Sequence, residues 1–240
     1  MYVTMNVGFF GSCQLHLCWN FFLNEQVLKK HNMNVCFALP FYEYDPNYPG
    51  YKGKLDYSIF NELDILVIEI NPLSEQIVDY CTNKNIKIIK TFLIKFPIYP
   101  INWSGFGDNK NDYLNWTTNI DYKKKFKECI KSMREYNSKS DLSIELTEFV
   151  ENNFNKQLLF THSLHPTNVL LYQLWKYILQ NLSINIEDNE YIFTHQLIDC
   201  WYNPFTSKMI TDLDIQFTDV IIDDQFYIDR YKKMSKKYLN

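Results

Sequence analysis

The sequence predicts an α/β fold, with a parallel sheet in the N-terminal half and a mostly helical C-terminal half. Two observations support this fold class. Apolar, strand-like runs alternate with helix-like stretches up to residue 93. These runs are rich in Val, Ile and Phe and lack a clean polar–apolar alternation, which is typical of strands buried on both faces. The four strand-like runs are residues 2–10, 34–39, 65–70 and 86–93.

Helix-like stretches lie between and after these strands. In the N-terminal half they cover residues 14–30 and 73–83, and Pro72 suits the start of the second because the first helical turn needs no N–H donor there. The strand–helix–strand order implies parallel pairing through right-handed crossovers. In the C-terminal half the helix-like stretches are residues 121–136, 141–155, 168–182 and 223–238, and a short strand-like run covers residues 157–160.

The chain shows no internal repeat and no low-complexity linker. We therefore expect one domain over residues 1–240, with the alternative that it is one domain of a longer protein. Two long loops, residues 40–60 and 96–120, are rich in proline and aromatic residues. Long loops are often functional, and aromatic ones suit stacking on a sugar or a nucleotide. The alternative is that they only pack over the sheet.

Composition argues against several classes of function. The net charge is −4, from 24 basic and 28 acidic residues, so no basic footprint indicates nucleic-acid binding. The six cysteines form no CxxC pair and have no zinc-ligand partners at the usual spacing, so we expect reduced thiols and no metal. Neither a signal peptide nor a membrane-spanning apolar run is present, which predicts a cytoplasmic protein without membrane insertion.

The most informative motif is Gly11-Ser12-Cys13-Gln14, which directly follows the first strand-like run and precedes a helix-like run. This order places Cys13 at a helix N-terminus, where partial positive charge favours a thiolate. Such a cysteine can act as a nucleophile, and the backbone N–H groups beside it can hold an oxyanion. The alternative is a tight strand-to-helix turn with a small buried thiol.

A thiol nucleophile needs a base, and the chain has five histidines. His162 and His165 lie in a loop that follows a strand and precedes a helix, the same kind of position as Cys13. Two strand-end loops can bring Cys13 and His165 together for acyl transfer, whereas the alternative is that the His before Pro166 only caps its helix. The three remaining histidines have other interpretations. The His16 side chain is expected to point away from the strand end, His31 suits a helix C-terminus, and His195 suits a buried core position.

Several short motifs resemble those of the WcbI-type polysaccharide-biosynthesis proteins. Residues 11–14 are similar to the Gly-Asn-Cys-Gln signature of that family, and residues 165–167 are similar to the end of its Asn-His-Pro-Thr motif. The resemblance covers roughly residues 1–185. Further similar segments follow in the same order as in the family, and they are residues 64–72, residues 133–135 with 141–142, and residues 158–160.

This resemblance implies an SGNH-hydrolase-like three-layer fold that binds coenzyme A and transfers an acetyl group to a sugar. By motif position, Cys13 corresponds to the family's cysteine and His165 to its histidine. The residues implied to contact the cofactor or the reacting carbonyl are Gly11, Ser12, Gln14 and Asn71. Asn71 is included because it resembles the oxyanion-hole Asn of SGNH enzymes in its position after a later strand.

The chain departs from the family pattern at two positions. Ser12 stands where Asn is more usual, so an amide contact from that side chain is lost or altered. Leu164 stands where Asn would precede the His-Pro pair, which leaves His162 as a possible substitute base. The usual Asp-x-x-His ending of SGNH enzymes is not found, so a third member of a catalytic triad is unassigned.

The leading hypothesis is an acetyl-CoA-dependent acetyltransferase that acts on a sugar, for example on a nucleotide-linked amino sugar. Either His165 activates the acceptor for direct attack, or Cys13 first takes the acetyl group in a ping-pong mechanism. One alternative is a carbohydrate esterase or thioesterase that uses Cys13 and His165 with water as acceptor. Another is a non-catalytic sugar- or nucleotide-binding module. The acceptor, N- versus O-transfer and the oligomeric state stay open.

Overall fold

A four-stranded parallel sheet forms the core of the N-terminal part of the chain. The computed structural model describes residues 4–16, 31–99, 120–184, 203–218 and 221–222. The strand order is β2-β1-β3-β4, and every pairing is parallel. The bounds are β1 (Met5–Gly11), β2 (Met33–Pro40), β3 (Ile65–Glu69) and β4 (Lys87–Thr91). The predicted α/β class with an N-terminal parallel sheet is therefore confirmed.

Helices lie between and after the strands of this sheet, and a short antiparallel hairpin follows the sheet along the chain. The hairpin pairs β5 (Phe160–His162) with β6 (His165–Pro166). Two single-turn 3-10 helices, Phe41–Tyr44 and Tyr57–Phe60, lie between β2 and β3. The α-helices are α1 (Ser74–Asn83), α2 (Tyr122–Asn137), α3 (Glu145–Asn153), α4 (Asn168–Asn181) and α5 (Ser207–Asp212). In the described residues, no helix has the length and apolar character needed to cross a membrane.

The chain divides into two compact units. The first contains Met1–Leu93, Glu135–Leu146 and Leu171–His195, and it includes the parallel sheet. The second contains the hairpin and an aromatic cluster in which the Phe96 ring stacks on Phe160 at a centroid distance of 4.9 Å. The segments of the second unit are Ile94–Arg134, Thr147–Leu170 and Gln196–Asn240.

Apolar side chains cover both faces of the parallel sheet. Phe10 on β1 packs in one cluster with Phe60 and with Ile77 of α1. Its neighbour Phe9 faces the other side, as strand alternation requires, and its ring centroid lies 6.1 Å from that of Trp175 on α4. Because β1 is buried between two layers, its sequence shows no alternation of polar and apolar residues.

Three predicted helices agree with α1, α2 and α4 to within a residue or so at each end. Helix α5 has no predicted counterpart, and Thr206 caps it by accepting a hydrogen bond from the Met209 N–H at 3.0 Å. The predicted strand over residues 157–160 is shifted, because β5 begins at Phe160 and runs on to His162. The predicted helix over residues 223–238 lies outside the described residues.

The start of α3 differs from the prediction by several residues, and Asp141 supplies the physical reason. We predicted a helix from residue 141, yet α3 begins at Glu145. The Asp141 carboxylate accepts the Lys90 N–H at 2.6 Å, and the Asp141 N–H donates to the Lys90 carbonyl at 2.8 Å. Asp141 thus satisfies the outer edge of β4, the last strand in the sheet order, instead of capping a helix.

Replacing Asp141 with Ala is expected to lower the free energy of unfolding by about 1–2 kcal/mol, because the Lys90 N–H loses its acceptor. The measurement is urea denaturation followed by circular dichroism. Asp141→Asn is the matched control, since its amide oxygen can still accept the same hydrogen bond, and it should lose less than half as much. Equal losses in both variants would show that the carboxylate charge matters and the edge contact does not.

Candidate functional site

The turn after β1 has the strand–turn–helix geometry that the sequence predicts. β1 ends at Gly11, and residues 13–16 are helical. The His16 N–H donates to the Ser12 carbonyl at 3.0 Å, which is the first helical hydrogen bond. The Ser12 hydroxyl accepts the Gln14 N–H at 3.2 Å, so Ser12 is the N-cap and Cys13 the first helical residue.

Close packing explains why glycine occupies position 11. A Cβ there would lie 2.7 Å from Cδ2 of Leu15 and 3.0 Å from Cβ of Glu69. Any larger side chain would therefore push the first helical turn away from β3. Gly11 sets this close approach, and its implied contact with a cofactor stays a prediction.

Glu69, the last residue of β3, was not among the predicted site residues. Its side chain is 2% exposed and accepts two hydrogen bonds through Oε2, from the Ser12 hydroxyl at 2.6 Å and from the Ser12 N–H at 3.2 Å. Burial raises the pKa of Glu69 to about 7, although both Ser12 hydrogen bonds act in the opposite direction. One sequence signal was available, because Glu69 is the only charged residue between Ile65 and Pro72.

Cys13 is half-buried, which distinguishes it from the other described cysteines. Cys36 is exposed, and Cys81 and Cys129 are buried. The Tyr42 phenol lies within electrostatic reach of Cys13. Burial, together with the negative charge of a Cys13 thiolate, raises the pKa of Tyr42 to about 12, so this phenol keeps its proton and can donate a hydrogen bond near neutral pH.

The loop that carries Tyr42 is held by its own contacts. The Lys52 N–H donates to the Glu43 carbonyl at 2.7 Å, and the Lys52 ammonium pairs with the Glu43 carboxylate, also at 2.7 Å. The Tyr42 and Tyr48 rings pack with centroids 4.8 Å apart, and Tyr48 is 41% exposed. Phe41 and Tyr44 of the loop pack against the apolar core cluster, whereas the Tyr42 and Tyr48 rings pack on each other.

Two of the residues implied to contact the cofactor or the reacting carbonyl have side chains that are buried or hydrogen-bonded to the backbone. Gln14 is fully buried. Asn71 lies in the turn before α1, where its Nδ2 donates to the Glu69 carbonyl and its Oδ1 accepts the Leu73 N–H at 2.8 Å. The Asn71 amide thus supports the backbone around Glu69, and its implied role in an oxyanion hole stays a prediction.

His162 and His165 lie in the second unit, at the tip of the β5–β6 hairpin and not in a simple strand-to-helix loop. They pair across the hairpin, with ring centroids 5.3 Å apart. His162 is buried, and its Nδ1 accepts the Leu164 N–H at 3.4 Å, which places the proton of the neutral ring on Nε2. His165 is half-buried, and burial lowers its pKa, so its ring is neutral and able to accept a proton near pH 7.

Of the other predicted histidines, His16 has a structural contact. Its Nδ1 lies 3.2 Å from the Ala38 carbonyl, so the ring bridges the first helical turn to β2. His195 lies outside the described residues. In the described ranges, no group of three or more His, Cys, Asp or Glu side chains is arranged to hold a metal ion.

The first unit brings together the turn at residues 11–14, Glu69, Asn71 and Tyr42. The second unit holds His162 and His165. The pairing of Cys13 with His165 stays a prediction from the sequence.

Comparisons with known proteins give one structural likeness. No family model and no curated protein matches the chain. The fold is similar to a solved structure of WcbI, described as a novel polysaccharide biosynthesis enzyme, in a native form without a disulfide bond between coenzyme A and a cysteine. The TM-score is 0.61 at 12% identity, over 90% of this chain and 82% of that chain.

Proposed function

We propose that this protein is an acetyl-CoA-dependent acetyltransferase that modifies a sugar in polysaccharide biosynthesis, on an SGNH-hydrolase-like fold. We also propose that residues 1–240 act as one acyltransferase domain. The observation that carries the proposal is the half-buried Cys13 at the first position of a helix that directly follows β1. The likeness to WcbI, whose description names coenzyme A and polysaccharide biosynthesis, supports the cofactor and the pathway class.

In the proposed reaction, the Cys13 thiolate attacks the thioester carbon of acetyl-CoA. The bond from that carbon to the coenzyme A sulfur breaks, and the coenzyme leaves as a thiolate that takes up a proton. An amine or hydroxyl of the sugar then attacks the acetyl-cysteine, loses its proton to His165 and releases Cys13. In the direct alternative, the sugar attacks acetyl-CoA itself with His165 as base.

Two features of the described residues suit this chemistry. The helix start beside Cys13 favours a negative charge on sulfur or on the oxygen of a tetrahedral intermediate. The protonated Tyr42 phenol is a hydrogen-bond donor within electrostatic reach of Cys13. Between the two histidines, His165 suits the base better, because Nδ1 of His162 already accepts the Leu164 N–H.

A thermal-melt titration with coenzyme A and with acetyl-CoA tests the cofactor. A ligand at about a hundred times its dissociation constant adds about 2.7 kcal/mol, which for a chain of this size raises the melting temperature by several degrees. After incubation with acetyl-CoA, peptide mass spectrometry should also find the acetyl group on Cys13 if the ping-pong route operates. No shift of the melting temperature at millimolar ligand would contradict the coenzyme A proposal.

A further inference from the structure

Glu69 is a buried acid for which the proposed reaction has so far assigned no role. It ends β3, next to β1 in the sheet, and only 2% of its surface is exposed. In the described part of the chain, Oε1 of this carboxyl has no hydrogen-bond partner and no cationic side chain pairs with it. An ionised carboxylate in such surroundings is costly, so the structure favours the neutral acid up to about neutral pH.

The groups that face Glu69 connect it to the Cys13 turn. Ser12 contacts its Oε2, Thr91 lies opposite it in register on β4, and Asn71 follows it in the next turn. None of these three side chains is charged. Cys13, which adjoins Ser12 in the chain, is the titratable residue of the turn that Glu69 supports.

The Ser12 hydroxyl links the two residues, and it has a single hydrogen to donate. The hydroxyl oxygen accepts the Gln14 N–H and lies 2.6 Å from Oε2 of Glu69. When Glu69 is ionised, the Ser12 hydrogen must point to the carboxylate. When Glu69 carries a proton on Oε2, that proton can donate to Ser12, and the Ser12 hydrogen is released toward another acceptor at the start of the helix.

The charge of Glu69 has the same effect on Cys13 as this hydrogen bond: both disfavour a thiolate when the carboxyl is ionised. An ionised carboxylate behind the turn repels a thiolate at Cys13, whereas a neutral acid does not. We propose that Glu69 is a proton-carrying positioning residue for Cys13, which acts through the Ser12 hydroxyl and favours the Cys13 thiolate while the carboxyl is neutral. This inference rests on the proposed role of Cys13 as the reactive thiol.

Alkylation by iodoacetamide tests the inference without any acyl donor, so its result does not depend on whether the protein turns over acetyl-CoA. Rates at individual cysteines are measured by peptide mass spectrometry in the wild type and in Glu69→Gln, from pH 6 to pH 9. At pH 6 the two proteins should react equally at Cys13. At pH 8 the variant should react about five to ten times faster, the size expected for removing a like charge near the turn.

Cys36 is an internal control in the same samples, because it is exposed on β2 and its thiol interacts with Glu62 and Asp64. Its rate ratio between variant and wild type should stay at one across the pH range. The alkylation rate of Cys13 in the variant, divided by that in the wild type, could instead differ from one by the same factor at every pH. That result would indicate a purely structural role for Glu69 and overturn the inference. Equal Cys13 rates in the two proteins at every pH would overturn it as well.

Two changes at Ser12 keep the inference testable if Glu69→Gln does not fold. Ser12→Ala removes the hydroxyl that joins Glu69 to the turn, so the change in Cys13 reactivity that accompanies ionisation of Glu69 should weaken and move to higher pH. Ser12→Thr keeps a hydroxyl and should restore the wild-type pH profile. Identical profiles in the Ala and Thr variants would show that the hydroxyl does not link Glu69 to Cys13.

Discussion

Replacing Cys13 with Ala is expected to lower kcat/KM for acetyl transfer from acetyl-CoA at least about a hundredfold, because the nucleophile of the ping-pong route is removed. The fold should persist, since the thiol is only half-buried and the helix start depends on the Ser12 cap. The measurement is the release of free coenzyme A in the presence of candidate amino sugars. Circular dichroism and the melting temperature verify that the variant is folded.

Cys36→Ala is the matched control, because it removes an exposed thiol from the neighbouring strand β2. Its kcat/KM should equal that of the wild type. If Cys13→Ala retains full turnover while still binding coenzyme A, direct transfer with His165 as base replaces the covalent route. If the wild type shows no turnover, and Cys13→Ala and His165→Ala both bind coenzyme A as the wild type does, the protein is a binding module and the enzymatic proposal fails.

Most of the parallel sheet was predictable because burial on two faces leaves a direct trace in the sequence. Runs such as residues 65–70 are continuous and apolar, and the structure places β3 at the centre of the sheet. Helices α1, α2 and α4 could also be located, because a helix that buries one face carries apolar residues at helical spacing. The start of α3 was wrong because Asp141 has two possible uses, a helix cap or a strand-edge acceptor, and only the position of Lys90 decides between them.

The candidate site was predictable only where its signal is local. Strand, small-residue turn and helix follow one another in the chain, so the position of Cys13 could be predicted. The partnership of Ser12 with Glu69 spans 57 residues and depends on the neighbouring positions of β1 and β3. The hairpin around His162 was missed because a two-residue strand such as β6 has no periodicity to detect.

The free energy of unfolding should show the unusual ionisation of Glu69 directly. Because the pKa of Glu69 in the folded protein is raised from 4.5 to about 7, its favourable contribution is complete below pH 4.5 and is lost as pH rises through 7. Between pH 5 and pH 8 the wild type should therefore lose up to about 3 kcal/mol that Glu69→Gln, with its non-titrating amide, does not lose. Urea denaturation of both proteins at each pH measures this difference.

Asp56→Asn is the control for the sign of this effect. Asp56 is an exposed cap whose pKa is lowered by hydrogen bonds from Ser58, so its contribution is lost only as pH falls below the range of the experiment. Its curve should run parallel to that of the wild type from pH 5 to pH 8. If the Glu69→Gln curve is parallel as well, Glu69 is already ionised at pH 5, and a buried anion then lies behind Cys13 throughout the working pH range. The thiolate at Cys13 would then have to form against that charge, and the helix start and Tyr42 would be left as the groups that favour it.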